Sequence, residues 1–310
     1  MTTALITHPA CLRHDMGPHH PECPDRLHAV LHVLETEEFA LLLRETAPEA
    51  TVEQLNRVHP PHYVEALLAI RPELGEQVAL DGDTSMGEGS AEAALRAAGA
   101  GIHAVDAVME GRVRSAFAAV RPPGHHAEPN RPMGFCLFNN AAVAALHARI
   151  HWGLKRVAVV DFDVHHGNGT QAMFESDPGL FYASSHQSPC YPGTGQVWEQ
   201  GVANNIVNVP LKPGDGSVAF RAAWERTILP ALAAFAPELL IISAGFDAHR
   251  DDPLAQLRVE TADYAWLTDR LVALADTHCG GRVVSMLEGG YDLNALAASA
   301  RVHVRSLMRV

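Results

Sequence analysis

The chain of 310 residues is 47% hydrophobic, which suits one large soluble domain with a substantial core. Its formal charge of -13 argues against a basic stripe tracking a phosphate backbone, hence against direct nucleic-acid binding, and makes a cationic substrate easier to accommodate. The start lacks a basic region followed by an apolar core, no segment approaches the ~20 apolar residues of a membrane span, and the five cysteines form no Cys-x-x-Cys pair. A cytoplasmic, reducing setting without membrane contact is therefore expected, with neither a disulfide framework nor a zinc ribbon.

In chain order, "HPECPDRLHAVLHVLETEEF" (20–39) predicts an early helix with Asp25 as its N-cap. Helical periodicity follows over 90–111, 139–152, 218–236 and 261–278. Short β-rich runs alternate with these at 115–120, 156–163, 179–185, 238–245 and 282–287. There is no internal repeat, low-complexity tract or Gly/Ser linker, so residues 1–310 read as a single domain. The alternation predicts an α/β fold whose sheet is mainly parallel and covered by helices on both faces.

Ligands of open parallel sheets bind beyond the carboxyl ends of the strands. Four predicted strands run there into polar clusters: "RPPGHHAE", "DFDVHHGNG", "AGFDAHRDD" and "LEGGYD". One acidic residue after a strand usually caps a helix, but four clusters on one edge suggest a site. Within "DFDVHHGNG" the period of two sends Asp161, Asp163 and His165 to one side if the extended conformation persists. Asp163 and His165 then become candidates to grip a cation, unless the aspartates merely cap the next helix and the histidines bond nearby carbonyls. Asp247 in "SAGFDAH" is the candidate third ligand. Such a set leaves a coordination position open, as catalytic zinc requires, and its oxygen-rich donors would also accept iron(II) or cobalt(II). Two carboxylates cancel the charge of a divalent ion, so a separate protein base becomes more necessary. His125 and His126 are candidates for that base, and Tyr291, after two glycines, for a hydrogen-bond donor to a substrate oxygen.

Taken together, "HPECPDRL", "RPPGHHA", "GFCLFNN", "DFDVHHGNGT", "YPGTG", "SAGFDAH" and "LEGGYD", spread in this order over most of the chain, resemble the arginase/deacetylase superfamily. Within it, the motifs resemble specifically those of class II-type histone deacetylases and bacterial histone deacetylase-like amidohydrolases. The resemblance implies a three-layer α/β/α domain around an eight-stranded parallel sheet and a zinc-dependent hydrolase of acyl-lysine or acylated polyamines. It implies that Asp163, His165 and Asp247 ligate zinc, that His126 acts as the base beside His125, and that Tyr291 polarises the carbonyl. Asp161 would steady His125 and Asn168 would orient His126, where class I-like relatives carry aspartate. A structural potassium ion is implied near Asp161, Asp163, His165, Ser184 and Ser185. Gly134, Phe135, Tyr191 and Leu254 would wall the substrate channel. Tyr191 stands where phenylalanine is frequent, and Leu254 stands where polyamine-specific relatives carry a glutamate. The leucine favours acyl-lysine of peptides or proteins as substrate. A small acylated amine is the alternative substrate, and a noncatalytic acyl-lysine-binding module is a different class of function that the intact residue set disfavours. A ureohydrolase would need a second metal and carboxylates that cannot be placed. The oligomeric state stays open, a homo-oligomer included.

Overall fold

The strands order themselves so that the most apolar segments lie innermost. The computed structural model describes residues 2–309. Its strands are β1 (Thr3–Thr7), β2 (Leu43–Thr46), β3 (Val78–Ala79), β4 (Ser85–Met86), β5 (Ser115–Ala118), β6 (Val157–Asp161), β7 (Leu180–Gln187), β8 (Ile206–Leu211), β9 (Leu239–Ala244) and β10 (Val283–Leu287). Eight form one sheet in the order β2-β1-β5-β10-β9-β6-β7-β8, and every neighbouring pair is parallel. The strands β5, β6, β9 and β10 are buried throughout and read as continuous apolar runs, as a sheet covered on both faces requires. The remaining two strands, β3 and β4, make a separate antiparallel hairpin.

One face of the sheet is covered by helices Ser90–Met109 and Asn140–Trp152, which pack on each other and on the central strands. The other carries Pro24–Val33, Thr261–His278, Leu293–Met308 and the helical run from Ser217 to Phe235. This is the three-layer architecture expected, with the main core between sheet and helices. Among the described residues no helix is long and apolar enough to cross a membrane.

Three expectations need correction. The early helix begins at Pro24 with Cys23 in the N-cap position, so Asp25 lies in the first turn rather than capping it. Proline is well placed there, because the first helical N–H would be unpaired anyway. The same helix stops at Val33, and only a short 3-10 turn, Glu37–Phe39, follows. The 218–236 segment is helical but widens into a π turn at Trp224–Ile228, just ahead of Pro230, which has no N–H to give to a carbonyl four residues back. Strands β1, β2 and β8 were not among the predicted runs. The edge strands β2 and β8 are partly exposed and correspondingly less apolar.

A buried ionic knot ties the first loop to the site. Glu22 has no exposed surface and accepts from Arg121, which follows β5, and from Arg26 at 2.9 Å. Arg26 also donates to the carbonyls of Glu288 and Gly290, and its guanidinium lies 4.7 Å from the centre of the Tyr291 ring. Burial pushes the Glu22 carboxyl upward, but Arg121, His14 and Arg26 outweigh it and hold it down at about 2. A depressed carboxylate contributes stability that is present above its unfolded range and lost as pH falls toward the folded value. Glu22→Gln is therefore expected to cost ~3–5 kcal/mol near neutrality, because it leaves two buried guanidiniums uncompensated. Urea unfolding of the variant should also depend less on pH between about 5 and 2 than that of the parent. An unchanged midpoint would show the knot to be energetically idle.

Candidate metal centre and substrate pocket

Strands β5, β10, β9 and β6 are neighbours in the middle of the sheet, so the four polar clusters converge on one point. Strand β6 ends at Asp161, but the alternation persists beyond it. Phe162 and Val164 enter the core, while Asp163 and His165 face the cluster. Backbone bonds hold this turn: Asp163 N–H donates to Asp161 Oδ1 (3.1 Å) and His165 N–H to Asp163 Oδ1 (2.9 Å).

Asp163, His165 and Asp247 each present one ligand atom, all within 4.8 Å of one another, and form the one such group among the described residues. His165 Nδ1 lies 3.1 Å from both Asp163 Oδ1 and Asp247 Oδ2. The remaining carboxylate oxygens are held from behind, Asp163 Oδ2 by Gly289 N–H (2.9 Å) and Asp247 Oδ1 by Val164 N–H (2.8 Å). Space is kept by absent side chains. A Cβ on Gly245 would sit 2.0 Å from Asp163 Oδ2, and one on Gly289 would sit 2.2 Å from Asp247 Oδ2. Two hard oxygens and one imidazole nitrogen, buried and prepositioned, fit a divalent cation with open positions.

The electrostatic surroundings of these groups agree with that fit. Burial, reinforced by Asp163, pushes the Asp247 carboxyl up to about 7. Burial opposes charge on His165, yet its bonds to Asp163 and Asp247 raise it well above the usual imidazole range. A metal needs these groups deprotonated, so its uptake must expel protons. Zinc affinity, measured by chelator competition, is expected to strengthen by about tenfold per pH unit for each proton displaced as pH rises through about 6 to 8. A flat profile would contradict this protonation scheme.

The tandem histidines sit beside the group with their rings 4.0 Å apart. His125 Nδ1 pairs with Asp161 Oδ2 (2.9 Å), which also accepts from Tyr182 (3.1 Å). His126 Nδ1 pairs instead with the amide oxygen of Asn168 (2.8 Å). Their environments drive them apart. Burial disfavours charge on His125, but Asp163 and Asp161 prevail and lift it to about 10. Burial, then the neighbouring His125 and His165, push His126 well below the ordinary value. One ring is thus suited to carry charge and the other to stay neutral.

A cavity of about 210 Å³ opens onto this centre, lined by Asp83, His126, Gly134, Phe135, His165, Tyr191, Leu254 and Tyr291. It gathers all four expected channel residues. Ser184 is the register partner of Asp161 across β6 and β7, but its hydroxyl is bonded to His186 Nδ1 (2.8 Å) and that of Ser185 accepts from the Trp224 indole (3.0 Å). His166, unassigned from sequence, bonds Thr194 (2.8 Å) and Gln171 (2.9 Å), tying the Tyr191 loop to helix Asn168–Phe174.

Sequence reasoning gave no role to several residues that shape the site. Glu288 accepts from the N–H groups of Gly124 (2.7 Å) and His125 (3.2 Å) and from Ser243 (3.0 Å), so it docks the histidine loop. Asp252 accepts from Tyr291 N–H (2.8 Å) and Leu254 N–H (3.0 Å), linking the two loops that bear those side chains. Both lie in motifs already singled out, "LEGGYD" and "AGFDAHRDD". Only their place at strand ends could have marked them.

Fold and site together define a hydrolase-like α/β protein with a metal-ready pocket. The model of the histone deacetylase domain matches residues 20–307. The chain is 38% identical to the histone deacetylase-like amidohydrolase of Pseudomonas aeruginosa, over 94% of this chain and 82% of that one. It is 39% identical to human polyamine deacetylase HDAC10, over 99% of this chain and 48% of that one. The crystal structure of the HDA15 HD domain superposes with a TM-score of 0.92 at 41% identity, covering 98% of this chain and 88% of that chain. The chain belongs to the histone deacetylase family, and its activity class is that of a deacetylase, a hydrolase.

Proposed function

We propose that residues 1–310 form one zinc-dependent catalytic domain that removes acetyl or related acyl groups from lysine side chains of peptides or proteins. The observation that carries this reading is one cavity onto which His165 of the metal-ready group, His126, Tyr291 and the side chains of Phe135, Tyr191 and Leu254 all open. Phe135, Tyr191 and Leu254 offer apolar surface to the methylene stem of an acyl-lysine, and Leu254 has no charge with which to hold the second ammonium of an acylpolyamine. The named activity of one relative on polyamines keeps that substrate class as the alternative.

A divalent ion held by Asp163, His165 and Asp247 would supply polarisation of the acyl carbonyl and acidification of a water, with iron(II) or cobalt(II) compatible with the same donors. His126, kept neutral, removes the proton of the attacking water. Tyr291 is held well above its ordinary ionisation range, first by burial and then by Asp247 and Asp163 against the opposing pull of Arg26, so its hydroxyl stays protonated and donates to the developing oxyanion. His126 then returns the proton to the departing amine, while His125 with Asp161 provides steady positive charge behind the site. A potassium ion near Asp161, Asp163, His165, Ser184 and Ser185 would rest largely on backbone carbonyls, and the two serine hydroxyls, each in one hydrogen bond, keep a lone pair for it.

Tyr291→Phe removes one oxyanion donor and is expected to lower kcat by ~10²- to 10³-fold. Retention of most turnover would refute its role. Asn168→Asp brings negative charge, shared with the Glu128 carboxyl, up against His126, so the acid limb of the rate profile should move to higher pH. An unmoved limb would count against His126 as the base. Turnover of an acetyl-lysine peptide should exceed that of N8-acetylspermidine, and a strong preference for the polyamine would select the alternative substrate class.

A further inference from the structure

The partner of His126 is an amide, and an amide can face either way. Asn168 offers an acceptor at Oδ1 and a donor at Nδ2, which exchange places on a half-turn of the side chain. With Oδ1 toward the ring, His126 carries its proton on Nδ1 and keeps Nε2 free as an acceptor. With Nδ2 toward the ring, the proton moves to Nε2 and the accepting nitrogen is spent on the amide.

What selects between these lies one residue further out. Asn168 Nδ2 donates to Glu128 Oε1 at 2.8 Å and to the Met133 sulfur at 3.4 Å, while Asn168 Oδ1 faces His126 Nδ1 at 2.8 Å. A carboxylate only accepts, and a thioether is a weak acceptor, so neither tolerates the amide oxygen in place of the nitrogen. Asn168 is 6% exposed, which limits rescue by solvent. Glu128 is itself anchored by a tight turn in which its N–H donates to Arg131 O at 3.0 Å.

We propose that Glu128 is a positioning residue that, acting through Asn168, fixes His126 as its Nδ1–H tautomer and leaves Nε2 free at the substrate cavity. The two histidines then reach carboxylates by different routes. His125 touches Asp161 directly, whereas His126 meets Glu128 across one amide, which transmits direction without placing full charge against the ring. The kinetic consequence rests on reading His126 as the base, but the tautomer does not.

The test is ¹⁵N NMR of histidine-labelled, zinc-loaded protein, with the His126 signals assigned by their loss in His126→Gln. The parent should show protonation at Nδ1. Glu128→Lys sets a donor beside the amide and should shift His126 toward the Nε2–H form, with kcat falling about tenfold, equivalent to ~1.4 kcal/mol, and KM within about twofold. In Asn168→Asp the carboxyls of residues 168 and 128 face each other, and Glu128→Lys turns that repulsion into an ion pair with no amide left to turn, so adding it should cost no further activity. A merely structural role would cost activity in both backgrounds. An Nδ1–H signal that persists in Glu128→Lys overturns the inference. A shifted tautomer with unchanged turnover supports it and instead contradicts the role of His126 as base.

Discussion

Buried negative charge at the carboxyl edge of the sheet is the constraint on which the rest of this structure depends. Asp161, Asp163, Asp247, Asp252 and Glu288 are each at least nine-tenths buried around the ends of β6, β9 and β10. Carboxylates so placed are tolerated only when every oxygen finds a donor or a cation. The backbone supplies much of this: the N–H groups of Gly124, His125, Asp163, Val164, His165, Gly289 and Tyr291 all donate to carboxylates of the cluster. Those donors are available because parallel strands end there and the chain turns away unpaired.

The outer layer of compensation is ionic. Arg26 bridges Glu22 to the carbonyls on either side of Gly289 and lies over the Tyr291 ring, so the first loop sets the back wall of the pocket. The inner layer is the space between Asp163, His165 and Asp247, where a divalent cation would relieve the remaining repulsion. Between these layers stand two adjacent histidines of opposite character. One touches a carboxylate and favours charge, and the other touches an amide and stays neutral. Two imidazoles of the same covalent structure thereby become suited to different tasks.

Much of this was legible in the chain. The parallel α/β class followed from the alternation of apolar runs with helical segments, and the site from four polar clusters at strand ends. His166 shows the limit of such reading, because nothing local in "DVHHGNG" reveals that its partners are Thr194 and Gln171. Glu288, Asp252 and Glu128 escaped for the same reason. Each acts on backbone or side-chain groups distant in sequence, and a carboxylate written in a motif looks alike whether it caps a turn or orients a histidine. Edge strand β2 and the π turn before Pro230 were missed because partial exposure and a single proline leave weak periodic signals.

The central claim is that these residues form a metal-dependent deacylase. Its most direct test is hydrolysis of acetyl-, trifluoroacetyl- and longer acyl-lysine peptides and of acetylpolyamines by protein stripped of metal and then restored with zinc. Loss of turnover on stripping, recovery with one zinc per chain, and hydrolysis of an acyl-lysine peptide by the restored enzyme are the expected results. Full activity of the stripped protein, or tight binding of acyl-lysine without hydrolysis after restoration, would contradict the claim.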